Sequence, residues 1–286
     1  MGSRLRISSA AGILAVAVLA AATFSFVYPF TMNERSAGAA DIPGHDADPS
    51  FTESYAFEAE ITVHEDGTLS ERRHIEFAVD DAEVVERDYF HPTVDGRAIE
   101  LIRYFDRDEE WRSDRLQTND SETMDARIER KGEDAVVDQY TDDDGYVLVT
   151  TNEESDSVED RAVNFYTRSI AVPEVRYPHY EQADERTFAE RDVTVYEPQG
   201  GWYHYPDTTP PFADYRLIDV DGELYVDDQT GTILYADMSY TVVEAANYAE
   251  YMHSRWQNEG MTTIEIHYEF SDDGEVDRPE WAEEPD

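Results

Sequence analysis

The residues of this chain best suited to chemistry by type and spacing are carboxylates at turns. In the stretch "GELYVDDQTGTILYADMSYTV", Gly222 to Val242, two β-like runs flank Asp227-Asp228-Gln229-Thr230-Gly231, and paired carboxylates beside a glycine could coordinate a hard cation. An EF-hand loop, however, needs a D-x-[DN]-x-[DN]-G start and a later glutamate at fixed spacing. "DVDGELYVDDQTG" has its glycine too early, and "YTDDDGY", "HEDGTL" and "SDDGEV" fail in the same way. What these stretches share is carboxylates ahead of a turn residue between β-like runs, so solvated hairpin turns are expected there rather than calcium loops.

Histidines 45, 64, 74, 91, 179, 204, 253 and 267 show no H-x-x-x-H or H-E-x-x-H spacing on a helix, and His64, His74 and His267 fall on the polar phase of strands, so surface histidine is expected over a zinc site. No G-x-S-x-G elbow, Walker A loop or G-x-G-x-x-G is present, and zero cysteines close the thiol route. With 66 acidic residues, a glycosidase-like carboxylate pair could be drawn almost anywhere and identifies nothing. No catalytic, cofactor-binding or metal-ligating residue is therefore assigned, and no cofactor is expected. Asn119 heads an N-D-S glycosylation sequon. The loop "EPQGGWYHYPDTTPPF", Glu197 to Phe212, mixes aromatics with prolines and a glycine pair. Its Trp202, Tyr203, Tyr205 and Phe212 could rim a cavity, or the loop could fold those rings into the core.

The elements that must position these residues are mostly strands. In "AFEAEITVHEDG", Phe57, Ala59, Ile61 and Val63 alternate with Glu58, Glu60, Thr62 and His64, which puts one face on a core and the other in water. After the Glu65-Asp66-Gly67-Thr68 turn, Ile75, Phe77 and Val79 repeat the pattern. Further strands are expected over Val84 to Phe90, Ile99 to Phe105, Ala126 to Arg130, Ala135 to Tyr140, Tyr146 to Thr151, Thr187 to Tyr196 and Leu217 to Asp219. The 222–242 hairpin follows, then "TTIEIHYEFSDD", which turns Ile264, Ile266, Tyr268 and Phe270 to one side. Two segments keep a helical period. "DSVEDRAVNFYTRSI" spaces Val158, Ala162, Phe165 and Ile170, and "EAANYAEYMHSRWQNEG" puts Ala245, Tyr248, Ala249, Met252 and Trp256 on one stripe ending at Gly260. Both helices could lie across one face of an open antiparallel sheet.

The formal net charge is -44, from 66 acidic against 22 basic side chains, and among the basic ones Lys131 is the one lysine. Self-repulsion of this size is relieved in multimolar salt, where the Debye length falls to about 3 Å, so a saline habitat is expected. Apolar residues at 40% and aromatics at 12% suffice for a core and argue against disorder. The absence of a Lys/Arg cluster excludes nucleic acid as an expected partner.

No charged residue occurs between Arg6 and Glu34, and the run Ala10 to Phe30 is close to the length that spans hydrocarbon. Arg4 and Arg6 precede it, so by the positive-inside bias the bulk of the chain lies outside the cell, held by an uncleaved anchor or exported by a cleaved signal. The expected organisation is residues 1–32 as cytoplasmic tip and membrane anchor, 33–50 as a flexible stalk, 51–272 as an extracellular β domain and 273–286 as an acidic tail.

From Tyr177 onward, "VDDQTG" (Val226 to Gly231), then Tyr268 in a Y-x-Y-type strand, then Val276, Pro279 and Trp281 in a V-x-x-P-x-W pattern resemble a group of uncharacterised haloarchaeal surface lipoproteins. That group is similar in turn to lipoprotein carriers of the LolA and LppX type. The resemblance implies a half-barrel in which a curved antiparallel sheet closes over helices and leaves an apolar cavity. With the strand pattern, the two short helices and the apolar run read above, the expected fold is mainly β (α+β), a curved antiparallel sheet or half-barrel with two short helices behind one N-terminal transmembrane helix. The group's lipid-modified cysteine is missing here, so the Ala10–Phe30 helix would supply the anchorage. The expectation is a non-catalytic, membrane-anchored domain that binds a lipid-like ligand or another envelope protein. A secreted acidic hydrolase and a structural component of a surface assembly are the alternatives.

Overall fold

The computed structural model describes residues 35–36, 54–80, 83–92, 96–106, 111–131, 135–142, 145–153, 174–175, 178–204, 214–245 and 247–282. Their strands, in chain order, are β1 (Arg35–Ser36), β2 (Ser54–Glu65), β3 (Thr68–Asp80), β4 (Glu83–Pro92), β5 (Ile99–Asp106), β6 (Trp111–Thr118), β7 (Val136–Asp142), β8 (Gly145–Glu153), β9 (His179–Phe188), β10 (Arg191–Gln199), β11 (Gly201–His204), β12 (Asp214–Asp227), β13 (Ile233–Glu244) and β14 (Met261–Ser271). Helix α1 (Ser121–Lys131) lies between β6 and β7, and α2 (Tyr248–Gln257) between β13 and β14. All strands join one open sheet, ordered β1-β11-β12-β13-β14-β2-β3-β4-β5-β6-β8-β7. The outer side of β12 is shared, with β11 along its first residues and the β9–β10 hairpin along its last. Every pairing is antiparallel except the two-residue contact of β1 with β11.

Alternation decides which face is which. Opposite residues of an antiparallel pair share a face, and β2 pairs Phe57 with both Phe77 and Phe270. Phe57 and Phe77 stack at 4.8 Å. Around them Tyr55, Ile61, Ile75, Leu217, Leu224, Met238, Tyr240 and Tyr268 are buried in one cluster. Toward β4–β6 the same face turns ionic: Arg73 grips Asp88 through two hydrogen bonds of 3.0 and 2.8 Å, Arg103 pairs with the buried Glu86, and Arg112 and Arg127 converge on the buried Asp114. Burial pushes the Glu86 carboxyl above its usual range, and Arg103 opposes this. Buried charges persist only when paired in this way.

The segment 126–130 forms part of α1, not a strand. Met124 and Ile128 are four apart and pack on Leu116 and Leu148, while Asp120 caps the helix by accepting from the Thr123 backbone N–H at 3.1 Å and its hydroxyl at 2.6 Å. The expected strand 187–196 is a hairpin instead, turning at Ala189 and Glu190, both with positive φ. Glu197–Phe212, read as a loop, continues as strand through Gln199 and again over Gly201–His204. Within the expected stalk, Arg35 and Ser36 form β1. The expected helix of residues 156–170 and the apolar run 10–30 lie outside the described residues, among which no helix is long and apolar enough to cross a membrane.

The acidic turns divide by context. Asp66 and Gly67 take positive φ between β2 and β3, as a tight hairpin requires. Asp219 to Gly222 is a bulge inside β12, not a turn: pairing with β13 skips from Ile218 to Asp221. Gly222 has φ of 122°, and a Cβ there would sit 2.2 Å from the Asp237 carbonyl oxygen. Asp227-Asp228 does form the β12–β13 hairpin end, but Asp227 is not solvated. Its side chain is 3% exposed, accepts from Arg191 at 2.5 Å and from the Gln229 backbone N–H at 2.7 Å, and lies 3.3 Å from that of Thr230. Burial raises its carboxyl pKa, yet Arg191 and the two amides outweigh that and hold it below the usual aspartate range.

Residues 273–282 lie against the sheet. The Ser54 hydroxyl donates to the Gly274 carbonyl at 2.6 Å and accepts from its N–H at 3.0 Å. Beyond this clasp Val276, Trp281 and Ala282 pack with Tyr104 and Val85, and Arg278 lies over the Tyr104 ring. Val276 and Trp281 of the V-x-x-P-x-W pattern are thus packing residues.

Two outcomes follow for stability, both read as denaturant midpoints in multimolar KCl. Asp227→Ala strips two amides of their acceptor and leaves the half-buried Arg191 guanidinium with Asp272 as a partner, and is expected to cost about 1–3 kcal/mol, whereas Asp228→Ala, at an exposed carboxylate bonded to Thr194, costs less than about 1 kcal/mol. Because the folded pKa of Asp227 is depressed, its contribution is complete above the unfolded value of about 3.9 and is lost as pH falls through the lower folded value. Equal midpoints for the two variants would refute the assignment. Gly274→Ala would place a Cβ 2.2 Å from the Tyr55 carbonyl oxygen. It is expected to detach the tail and raise amide exchange across residues 274–282, with unchanged exchange as the contrary result.

Candidate functional site

The second face of β14, β2, β3 and β4 carries the residues that alternate with the core. Register sets Glu60 opposite both His74 and His267, and Glu58 opposite both Glu76 and Glu269. On the other side of β3, His74 faces Tyr89 and Glu76 faces Arg87. His74 is therefore ringed by carboxylates from two strands. Its Nε2 lies 3.0 Å from Glu76 Oε1, and its Nδ1 lies 3.7 Å from Oε1 of both Glu58 and Glu60. The ligand-capable atoms of Glu58, Glu60 and His74 all fall within 4.8 Å of one another. Two carboxylates and an imidazole can hold a divalent cation or accept the N–H groups of a cationic side chain.

Two depressions adjoin this cluster and share Glu76. One, of about 410 Å³, runs between the sheet and the tail, with Glu58, Glu269, Glu275 and Asp277 on its walls and Arg87 as its cation. The other, of about 560 Å³, is bounded by Leu69, Arg72, His74, Tyr89 and His91. Burial, reinforced by Glu100, pushes the Tyr89 phenol up to about 12, so it stays a neutral hydrogen-bonding group at any ordinary pH. Further along the face, His267 Nδ1 lies 3.7 Å from Asp237 and its ring meets Tyr235 edge-on at 5.7 Å.

Of the aromatics expected to rim a cavity, Trp202 is the one whose side chain is among the described residues. Trp202 sits in β11 and packs edge-on against Tyr251 of α2 at 5.4 Å, with the Arg216 guanidinium over both rings at 5.1 and 4.5 Å. Tyr203 contributes backbone to β11. Its side chain, and Tyr205 and Phe212 entirely, lie outside the described residues. Asn119 is exposed and spans a turn: Oδ1 accepts from the Ala98 N–H at 2.9 Å and Nδ2 donates to the Gly96 carbonyl at 2.8 Å. The His74 cluster escaped the sequence reading because its members come from two strands whose pairing no local spacing encodes. The signal that could have found it is the shared polar phase of Glu58, Glu60, His74 and Glu76 either side of a short hairpin.

No protein-family model matches the chain, and no curated protein matches it either. Solved structures similar to it include that of PNGF-II, with a TM-score of 0.19 and 6% identity over 74% of this chain and 27% of that one. The ywiB protein from Bacillus subtilis aligns with a TM-score of 0.18 and 8% identity over 78% of this chain and 93% of that one.

Proposed function

We propose that this chain is an exported, membrane-tethered, non-catalytic domain that binds a neighbouring envelope protein through the carboxylate-lined face around His74. The observation that carries the reading is that cluster, with its two flanking depressions on the open side of the sheet. A surface so rich in carboxylates favours a partner that presents guanidinium or ammonium groups, and in strong brine only contacts of a few ångströms retain strength. The apolar run 10–30, preceded by Arg4 and Arg6, supplies the tether.

The opposite face supports a protein partner over a lipid. The sheet is read as a curved half-barrel whose apolar face over β2, β3 and β14 is buried and carries α1 on β6 and β8, while α2 packs on the other face, on Val243 and Met261. Its interior is occupied by its own side chains, with Tyr55, Phe57, Phe77, Tyr240 and Tyr268 each at most 4% exposed. The hydrolase alternative would draw on Glu86 and Asp114, which are buried on that face, but arginine pairs both. Such pairing suits structure more than acid–base work.

A photo-crosslinking residue placed at Glu60, 64% exposed on its side chain, is expected to capture one discrete protein in native membranes kept in multimolar salt. Glu58→Gln with Glu76→Gln should abolish that product, and the same crosslinker at the exposed Glu122 of α1 should not form it. Capture at both positions alike, or survival of the product in the double variant, would overturn the proposal.

A further inference from the structure

The stripe expected on α2, Ala245, Tyr248, Ala249, Met252 and Trp256, is divided: Ala245 is buried, Ala249 is half-buried, and Tyr248, Met252 and Trp256 are exposed. The contact with the sheet is made by Ala245, ahead of the helix, and by Tyr251, buried with Val243 against Trp202, Ile218 and Met261. Tyr248, Met252 and Trp256, each four residues on from the last and so on one side of the helix, are 37%, 43% and 85% exposed. The helix is well made. Asn247 caps its start by accepting from the Glu250 N–H at 3.0 Å, and Asn258 closes its end in the left-handed region. Its orientation is thus fixed with the apolar side outward. An exposed tryptophan with methionine and tyrosine beside it is an apolar patch that salt makes costlier to leave in water.

The topology says what lies nearest. At the α2 end of the sheet β13 finishes at Glu244, which pairs with Tyr215, while Asp214 pairs with His204 and His204 with Ser36 of β1. From β1 to β13 is three strand spacings, about 15 Å. In the other direction, five residue steps separate Arg35 from Phe30, a reach of at most about 18 Å. The end of the apolar run is therefore within chain reach of the end of the domain that carries α2.

We infer that the Tyr248–Met252–Trp256 side of α2 rests in the interfacial layer of the membrane that holds residues 10–30, so that the domain docks on the lipid surface by this end. The inference rests on the membrane-tether reading and goes beyond it, since a tether alone leaves the domain's orientation free. Trp and Tyr suit the headgroup boundary because each ring has an apolar body and a polar edge. Repulsion between nearby Glu244, Glu250 and Glu259 and anionic headgroups would oppose docking in dilute buffer but is short-ranged in brine. Register puts the α2 contacts Val243, Arg216 and Met261 on the same face of the sheet as Asp237 and His267, so the docked helix lies on the His74 side of the sheet, toward its β13 end.

The chain has no cysteine, so Met252→Cys labelled with an environment-sensitive fluorophore reports one place. The full chain is reconstituted into phosphatidylcholine vesicles in multimolar KCl, with a doxyl quencher carried near the headgroup or deep in the acyl region, alongside Ala17→Cys and Glu122→Cys controls. The label at 252 is expected to lose at least about half its emission to the shallow quencher, that at 17 to the deep one, and that at 122 to neither. A quenched label at 17 with an unquenched one at 252, whether blue-shifted by a protein cover such as residues 205–213 or not, overturns the docking and leaves the tether standing. An unquenched label at 17 overturns the tether and the docking with it. Met252→Glu with Trp256→Glu, read through a label at His253→Cys, should abolish shallow quenching while the far-ultraviolet circular dichroism is retained. Persistent quenching there also counts against the docking.

Discussion

The register of β2 between β14 and β3 is the constraint from which the two working faces follow. Side chains alternate across a strand, so a slip by one residue would exchange the faces completely. As paired, Phe57 meets Phe77 and Phe270 on the inside, and Glu58 meets Glu76 and Glu269 on the outside. The stacked Phe57–Phe77 pair makes a slip of β2 expensive, because displacement would put the Phe57 ring in water and the Glu58 and Glu60 carboxylates in the core. The same register places Ser54 where its hydroxyl can clasp Gly274. Core, carboxylate cluster and tail are three consequences of one alignment.

Charge is distributed with comparable economy. Cationic side chains are scarce, and several of them sit on the inner face, where Arg73, Arg103, Arg112 and Arg127 have between 13% and 24% of their side chains exposed. Close, partly buried pairs keep their strength in salt, whereas exposed pairs are screened. Arginine suits these positions because its planar fork can hold a carboxylate with two bonds, as Arg73 does with Asp88. The outer face is left with an excess of carboxylates, which a saline medium tolerates and a cationic partner could use.

The period-two signal was clearest in β2, β3 and β14, which have one face in the core and one in water, and it sufficed also for β4, β5 and β13, although the tail covers Val85 and Tyr104 and α2 covers Val243 on their second face. It failed where another cause produced alternation or hid a turn. "ARIER" alternates by accident, and the helix there is set by Asp120 and by Met124 and Ile128 four residues apart. The turn at Ala189-Glu190 lacks the glycine or asparagine that positive φ usually selects, so nothing local announced it. The stripe on α2 was seen correctly as a stripe. Its direction was not encoded in the helix, because Tyr251 is held by Trp202 and Arg216, which arrive from β11 and β12. The His74 cluster was hidden for the same reason: its geometry is a property of pairing, and pairing is not a local quantity.

The two ends of the sheet are unlike, and chain length reconciles them. Ser36 lies at the α2 end and Ser54 at the other, beside the Ser54–Gly274 clasp. β2 has 12 residues, a span of about 40 Å at strand rise. The connection from Ser36 to Ser54 has eighteen steps, enough to cover about 60 Å when extended, so its length suffices to join the α2 end of the sheet to the far end, where β2 begins. The Ser54–Gly274 clasp and the exposed stripe of α2 accordingly lie at opposite ends of the strands. Between those ends the face that α2 covers at Val243 and Met261 continues into Asp237, His267, Glu60 and His74, so the helix and the carboxylate cluster share one side of the sheet.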